Sequence, residues 1–304
     1  MTIAITGATG FVGSHVLDAA SVTGVPVRAL ARQQQPERAG VTWIAGALDD
    51  AASLDQLCAG ANAVVHIAGA VNVPDRAAFA AANIAGTQAV ADAAKRANVA
   101  RFVHVSSLAA REPALSNYGW SKAGAEEGVR AAPLPWAIVR PPGVYGPRDR
   151  DMLELFKMAQ RGFILLPPAG RGSWIHATDL ARLLVALAVT SDFPTGALYE
   201  VDDGTPGGIS HGAMGAAIAA AVGRNGALKF SAPRPLLKLA AHADRLARGD
   251  RAKLTPDRAA YMAHPDWISD PAKRPDPSLW APEIAFAAGL AATAAWYRDA
   301  GWLR

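Results

Sequence analysis

The stretch Ile3-Ala-Ile-Thr-Gly-Ala-Thr-Gly-Phe-Val-Gly13 runs a short apolar strand straight into glycines at 7, 10 and 13, then into a helix-compatible segment from Phe11 onward. Gly7 permits a sharp strand exit and Gly10 lets backbone N–H groups approach a pyrophosphate. Gly13 lets the helix pack tightly on the strand, with its positive N-terminal end on the anion. Thr9, Phe11 and Val12 complete the edge between loop and helix that would meet the ligand. Glycines alone also serve plain turns. The strand before this triplet and the helix after it make the stretch a phosphate-binding turn.

Working outward, strand-like apolar runs recur at residues 3–6, 25–30, 41–45, 63–67, 102–106 and 136–140, separated by helix-length Ala-rich segments such as 77–97. This alternation predicts βαβ crossovers, and hence an α/β, doubly wound parallel sheet with helices on both faces. After Pro147 the rhythm breaks. Helices are expected at 151–161, 178–188 and 282–297, with a returning strand at 197–201. The expected division is a dinucleotide-binding domain from 1–148 and 173–204, and a smaller, discontinuous substrate domain from 149–172 and 205–304.

Hydrophobic residues make up 51% of the 304-residue chain and charged ones 18%, which places it among folded globular proteins rather than disordered ones. Apolar runs are broken well short of the ~18 residues a spanning helix needs, so no membrane span is expected. With a strand beginning at the very start, no leader is expected, and the protein is placed in the cytoplasm. The single cysteine, Cys58, excludes an internal disulfide and reads as a small buried hydrophobe at a helix end. The net charge of +4 comes from scattered arginines, so nucleic acid is not an expected partner. Residues 236–258 carry Lys238, Arg245, Arg248, Arg251 and Lys253 among Leu and Ala; such a stretch serves a membrane surface, a partner helix or, most often, a solvated helix face. No Cys/His/carboxylate cluster has metal-ligand spacing, so no metal is expected.

Tyr118-Gly-Trp-Ser-Lys122 places a phenol and an ammonium four residues apart, one helical turn along a single face. A neighbouring ammonium favours the phenolate, drawing Tyr118 down from the ordinary value of about 10 and making it a proton donor or acceptor near neutrality. The bland alternative is a surface tyrosine stacked on a lysine stem. Placement favours chemistry, because the preceding strand Phe102-Val-His-Val-Ser-Ser107 would deliver Ser107 to the carboxyl edge of the sheet, where ligands bind. Ser107 could equally be a helix N-cap.

Together, Thr6-Gly-Ala-Thr-Gly-Phe-Val-Gly13, Val64-Val-His-Ile-Ala-Gly69, Asn83-Ile-Ala-Gly-Thr87, Val105-Ser-Ser107, Tyr118-x-x-x-Lys122 and Arg140-Pro-Pro-Gly-Val-Tyr-Gly146 resemble the extended short-chain dehydrogenase/reductase family, its NAD-dependent epimerase/dehydratase group. The resemblance implies a Rossmann fold and a role for each matching residue. Tyr118 would be the general acid/base, Lys122 would hold the nicotinamide ribose, and Ser107 would hydrogen-bond the substrate oxygen, with Ser106 the weaker candidate. Asn83 would support the site, Ala68 and Gly69 would line the cofactor groove, and Pro141, Pro142, Gly143 and Val144 would lie near the nicotinamide. The resemblance also implies a homodimer through helices near 77–97 and 118–131, with a monomer as the alternative.

The run Val25-Pro-Val-Arg-Ala-Leu-Ala-Arg32 has no acid to hold a free ribose 2′-hydroxyl, so Arg32, with Arg28, points to NADP rather than NAD. Gly46-Ala-Leu48 stands where the family often has Gly-Asp-Leu, leaving Leu48 and backbone to hold adenine. Gly143 resembles the dihydroflavonol reductase and 3β-hydroxysteroid dehydrogenase branches. The expected function is an oxidoreductase passing hydride to or from a carbonyl or secondary alcohol of a small apolar or partly polar substrate. The alternatives are a nucleotide-sugar epimerase with tightly held NAD, and a non-catalytic dinucleotide-binding scaffold.

Overall fold

A computed structural model describes residues 1–249, 252 and 254–304. Arg251 and Lys253 of the basic stretch lie outside the described residues. The chain divides into two compact units, 1–140 with 180–201 and 271–281, and 141–179 with 202–270 and 282–304.

In the first unit, β1 (Ile3–Thr6), β2 (Val27–Ala31), β3 (Val41–Ala45), β4 (Ala63–His66), β5 (Arg101–Val105) and β6 (Trp136–Arg140) join the strand Ala197–Glu200 in one seven-stranded parallel sheet. Its order is Ala197–Glu200, β6, β5, β4, β1, β2, β3. The order reverses between β1 and β4, which opens a crevice at the carboxyl ends of those two strands. The residues of β1 and β4 are all buried, as parallel strands covered on both faces require.

The crossover helices are α1 (Phe11–Val22), α2 (Ala51–Cys58), α3 (Arg76–Phe79), α4 (Gly86–Arg96) and α5 (Asn117–Ala131). Right-handed crossovers that step toward β6 put α2, α4 and α5 on one face, and the β1-to-β2 step puts α1 on the other. The first face buries Leu54, Leu57, Val90, Ala94 and Val129 against Ala4, Val64, Phe102 and Ile138. Cys58 lies in this core, its thiol pushed up to about 11 chiefly by burial. The expected continuous helix over 77–97 is interrupted, because Ala80–Ala85 winds as a π-helix between α3 and α4.

A buried ionic cluster ties α5 to the sheet. Glu126, 1% exposed, accepts two bonds from Arg140 at 2.7 Å and one from Arg130 at 3.0 Å, and takes the Ser106 hydroxyl on Oε1. Glu200, fully buried, is reached by Arg140 at 3.4 Å and by Lys273 at 3.2 Å.

The compact units differ from the division expected from sequence in four places, and residues 202–204 are one of them, falling in the second unit. Residues 141–148 and 173–179 belong to the second unit because Gly143–Tyr145 pairs in parallel with Trp174–His176. Residues 271–281 return to the first, where Lys273 meets Glu200.

The second unit has its own core. The helices Arg150–Gln160, His211–Ala221 and Phe286–Asp299 contribute Phe156, Ile218, Leu290 and Tyr297 to a cluster that includes Tyr145. Tyr145 donates to the Phe286 carbonyl at 3.3 Å. Asp179 accepts from the Glu283 and Ile284 amides at 3.0 and 2.9 Å. Among the described residues no helix is long and apolar enough to cross a membrane.

Removing one partner of a buried ion pair strands the other in low dielectric. Glu126→Ala is therefore expected to lower unfolding free energy by about 3–5 kcal/mol in a urea titration, whereas a loss under about 1 kcal/mol would place the cluster among weak surface pairs.

Candidate functional site

The glycine turn folds as its sequence demands. Gly7 has φ +75°, and a Cβ there would meet the Ala68 backbone nitrogen at 2.6 Å, so the turn after β1 lies directly against the loop after β4. A Cβ on Gly13 would strike the Gly7 carbonyl and come within 2.7 Å of Ala8 Cα. Gly10 is the N-cap of α1, and no side chain caps the helix. The first-turn amides at Phe11, Val12 and Gly13 thus present the donor array that an anion needs. Thr9 is exposed and Phe11 packs edge-on against His15.

A chain of polar contacts that sequence reasoning missed holds the two loops together. The Ala68 amide donates to Thr6 Oγ1 at 3.3 Å, and Thr6 Oγ1 lies 2.6 Å from His66 Nδ1. His66 Nε2 lies 2.9 Å from Thr87 Oγ1, which donates to the Asn83 carbonyl at 2.6 Å. Thr87 has one hydroxyl proton and gives it to that carbonyl, so its oxygen accepts from His66 Nε2–H, and His66 Nδ1 accepts from Thr6. Burial, aided by the charge of Lys122, pushes His66 down to about 3, which keeps the ring neutral as this arrangement requires. The visible signal was His66 and Thr87 standing as polar residues in apolar runs.

Asn83 sits in the π-helical turn, with Oδ1 accepting from the Ala70 amide at 2.7 Å and Nδ2 donating to the Ala70 carbonyl and to Ser121 Oγ. Ser121 in turn donates to the Tyr118 carbonyl at 2.8 Å. The loop after β4 is thereby clamped to α5. A π-turn at such a point gives the side chain the aim that a regular helix would deny it.

Tyr118 and Lys122 occupy the first two turns of α5, which Ser116 caps by accepting from the Gly119 amide at 2.9 Å. Tyr118 is half-buried beside the Phe79 ring. Lys122 is buried, and its Nζ donates to the Val105 carbonyl at 2.8 Å. A Cβ built on Gly69 would lie 3.8 Å from that Nζ and 2.9 Å from Asn83 Oδ1, so Gly69, Asn83 and Lys122 converge. Burial lowers Lys122 to about 8, partly opposed by Glu126 one turn further along.

Ser106 and Ser107 part company at the end of β5. Ser106 is buried on Glu126. Ser107 is half-buried and caps the 3₁₀ turn Leu108–Arg111, accepting from the Ala109 amide at 3.2 Å. Both sequence readings of Ser107 are compatible with this, since a capping oxygen keeps its hydroxyl proton to donate.

The arginines also separate. Arg28 lies in the first half of β2, and its guanidinium donates to the Leu57 and Gln56 carbonyls at 3.1 and 2.6 Å, at the end of α2. Arg32 follows the last residue of β2 and is exposed. Leu48 packs at Gly86, where a Cβ would come within 2.9 Å of it. Pro141, Gly143 and Val144 fall in the second unit, where a Cβ on Gly143 would collide with the Trp174 ring at 2.6 Å. Among the described residues, no group of three His, Cys, Asp or Glu side chains is placed to hold a metal.

Residues 3–201 match the NAD dependent epimerase/dehydratase family. The chain is 36% identical over 313 residues to a ceramide reductase of Caulobacter vibrioides, covering 99% of this chain and 96% of that protein. It is 29% identical to a dTDP-glucose 4,6-dehydratase of Streptomyces antibioticus over 67% of this chain and 73% of the relative. In fold it is similar to the Bordetella bronchiseptica enzyme WbmG in complex with NAD, at a TM-score of 0.76, 23% identity and coverage of 100% and 96%. The uncapped helix behind a glycine turn, the buried lysine below a tyrosine and the match across two thirds of its length lead to one conclusion: the chain belongs to the NAD dependent epimerase/dehydratase family of enzymes.

Proposed function

We propose that the protein is an NADP(H)-preferring reductase of a ketone on an apolar, lipid-like substrate of the ceramide type. The observation that carries the reaction class is the convergence of Lys122 Nζ on Gly69 and the Val105 carbonyl, on the same helix face as Tyr118. The substrate class is supported by the full-length similarity to a ceramide reductase.

The residues present suit a dinucleotide. The close-packed glycines at 7 and 13 and the free helix start behind Gly10 would take the diphosphate. Arg32, at the end of a β2 segment that lacks any acid, would take a 2′-phosphate. Leu48, Ala68 and Gly69 would line the adenosine and ribose, Asn83 would fix the Gly69–Ala70 backbone, and Pro141, Gly143 and Val144 would adjoin the nicotinamide. When bound, the nucleotide supplies the hydride.

Tyr118 gives its phenolic proton to the substrate carbonyl oxygen as that oxygen gains charge, and the Lys122 ammonium stabilises the phenolate left behind. Ser107 donates its free hydroxyl proton to the same oxygen. Lys122 is well poised for this, because the burial that lowers it to about 8 also strengthens its field on a neighbouring phenolate.

Tyr118→Phe is expected to cut kcat by about 10²–10⁴-fold while NADPH still binds. Full activity in that variant would favour the scaffold, and no net NADPH consumption alongside turnover of a UDP-sugar would favour the epimerase. Arg32→Ala is expected to reduce the preference for NADPH over NADH by about tenfold or more, measured by fluorescence titration of each nucleotide. Because the ammonium is the working form and its value is depressed, kcat/KM should fall as pH rises through about 8. Lys122→Arg, which stays charged, should remove the contribution of Lys122 to that limb and leave only the fall set by loss of the Tyr118 proton.

A further inference from the structure

The helix Arg234–Arg248 has two apolar faces, and the protein covers one of them. Leu237 and Ala241 are buried with Ala259, flanked by Leu254 and Ala263. Leu236, Leu239 and Leu246 are 54%, 67% and 89% exposed. At 3.6 residues per turn, Leu236, Leu239, Ala243 and Leu246 form one stripe along the helix, turned away from Leu237 and Ala241. A helix that served only its own core would carry polar residues on that stripe.

The strand just before it in the chain, Leu228–Ser231, and the strand it pairs with show the same pattern. Phe163–Leu166 pairs in parallel with Leu228–Ser231, with Phe163 opposite Leu228 and Leu165 opposite Phe230. Ile164 and Leu166 point into the core, and the four ring and leucine side chains of the other face are 38–63% exposed. Apart from these strands and this helix, the exposed large apolar side chains among the described residues are Met1, Val22 and Val71.

Charge selects the occupant. Residues 223–249 contain Arg224, Lys229, Arg234, Lys238, Arg245 and Arg248 against one acid, Asp244. Asp244 is itself engaged, accepting from the Leu254 amide at 2.9 Å and pairing with Arg248 at 3.1 Å. Arg224, Lys229, Arg234 and Arg248 are exposed. Protruding leucines beside long basic side chains suit a boundary where acyl chains meet anionic headgroups, since such side chains can lay their stems along apolar surface and leave the charge at the phosphates.

We propose that the helix Arg234–Arg248 and the adjoining strand pair form a docking surface for an anionic lipid bilayer, on which the protein lies without spanning it. This surface stands on its own exposure and charge, whatever substrate the catalytic site takes.

Co-sedimentation of the full chain with phosphatidylcholine vesicles, and with vesicles of three parts phosphatidylcholine to one part phosphatidylglycerol, tests it. The expected result is retention on the anionic vesicles that weakens as salt is raised, with little on neutral ones. The double variant Leu239→Glu, Leu246→Glu should lose about tenfold in vesicle affinity, and Arg234→Glu with Arg248→Glu should lose a comparable amount. NADPH titration of each variant, expected to match the parent, reports that the fold is intact. Equal sedimentation with and without anionic vesicles would overturn the proposal, as would leucine variants that bind like the parent. A parent that forms a dimer dissolved by the leucine changes, without binding vesicles, would assign the surface to a second copy instead.

Discussion

The burial of one ammonium group governs how α5 is seated on the seven-stranded sheet. Lys122 has been taken out of water, at a cost that a protein tolerates only with compensating partners. The Val105 carbonyl is one and the charge of Glu126, a turn along α5, is the other. Glu126 is itself buried and needs Arg140 from the end of β6 and Ser106 from the end of β5. One helix is thus pinned by charge to the carboxyl ends of two strands. The spacing 118, 122, 126 places the acid/base candidate, its cation and the anchor along a single stripe.

The same logic extends through neutral groups to the glycine turn after β1. His66 is held uncharged between two threonines, and the hydrogen-bond direction of that chain is set by Thr87 donating to the Asn83 carbonyl. His104, stacked on His66 at 5.4 Å, has neither ring nitrogen paired and is held well below the usual histidine value by burial and the charge of Lys122. With both rings neutral, the charge beside Gly69 is that of Lys122, whose Nζ would lie 3.8 Å from a Cβ built there. A protonated imidazole there would repel it.

Much of this was legible in the linear chain. Period, length and punctuation predicted six strands of the sheet to within a residue or two, because fully buried parallel strands read as short unbroken apolar runs. Tyr118, Lys122 and Ser107 were singled out because their spacing and their place after β5 carry geometric meaning. Arg28, grouped with Arg32 by sequence, stands in the first half of β2 and within reach of the helix α2 carbonyls, a placement that the linear run of residues does not disclose. Gly143 was read as a branch marker, and the collision that any Cβ would make with Trp174 adds a packing reason that sequence spacing could not reveal.

The sequence by itself determined the sheet, the glycine turn and the placing of Tyr118 and Lys122 one turn apart on α5, since each follows from local rules: hydrophobic period, glycine sterics and helical spacing. Only the tertiary structure decided which serine remains free, that Asn83 rides on a π-turn, that residues 271–281 return to the first unit, and that one leucine stripe of the helix Arg234–Arg248 is left uncovered. Those outcomes depend on partners distant in the chain, such as Glu126 for Ser106, Ser121 for Asn83 and Glu200 for Lys273. No local pattern encodes which of two chemically equal groups such a partner will reach.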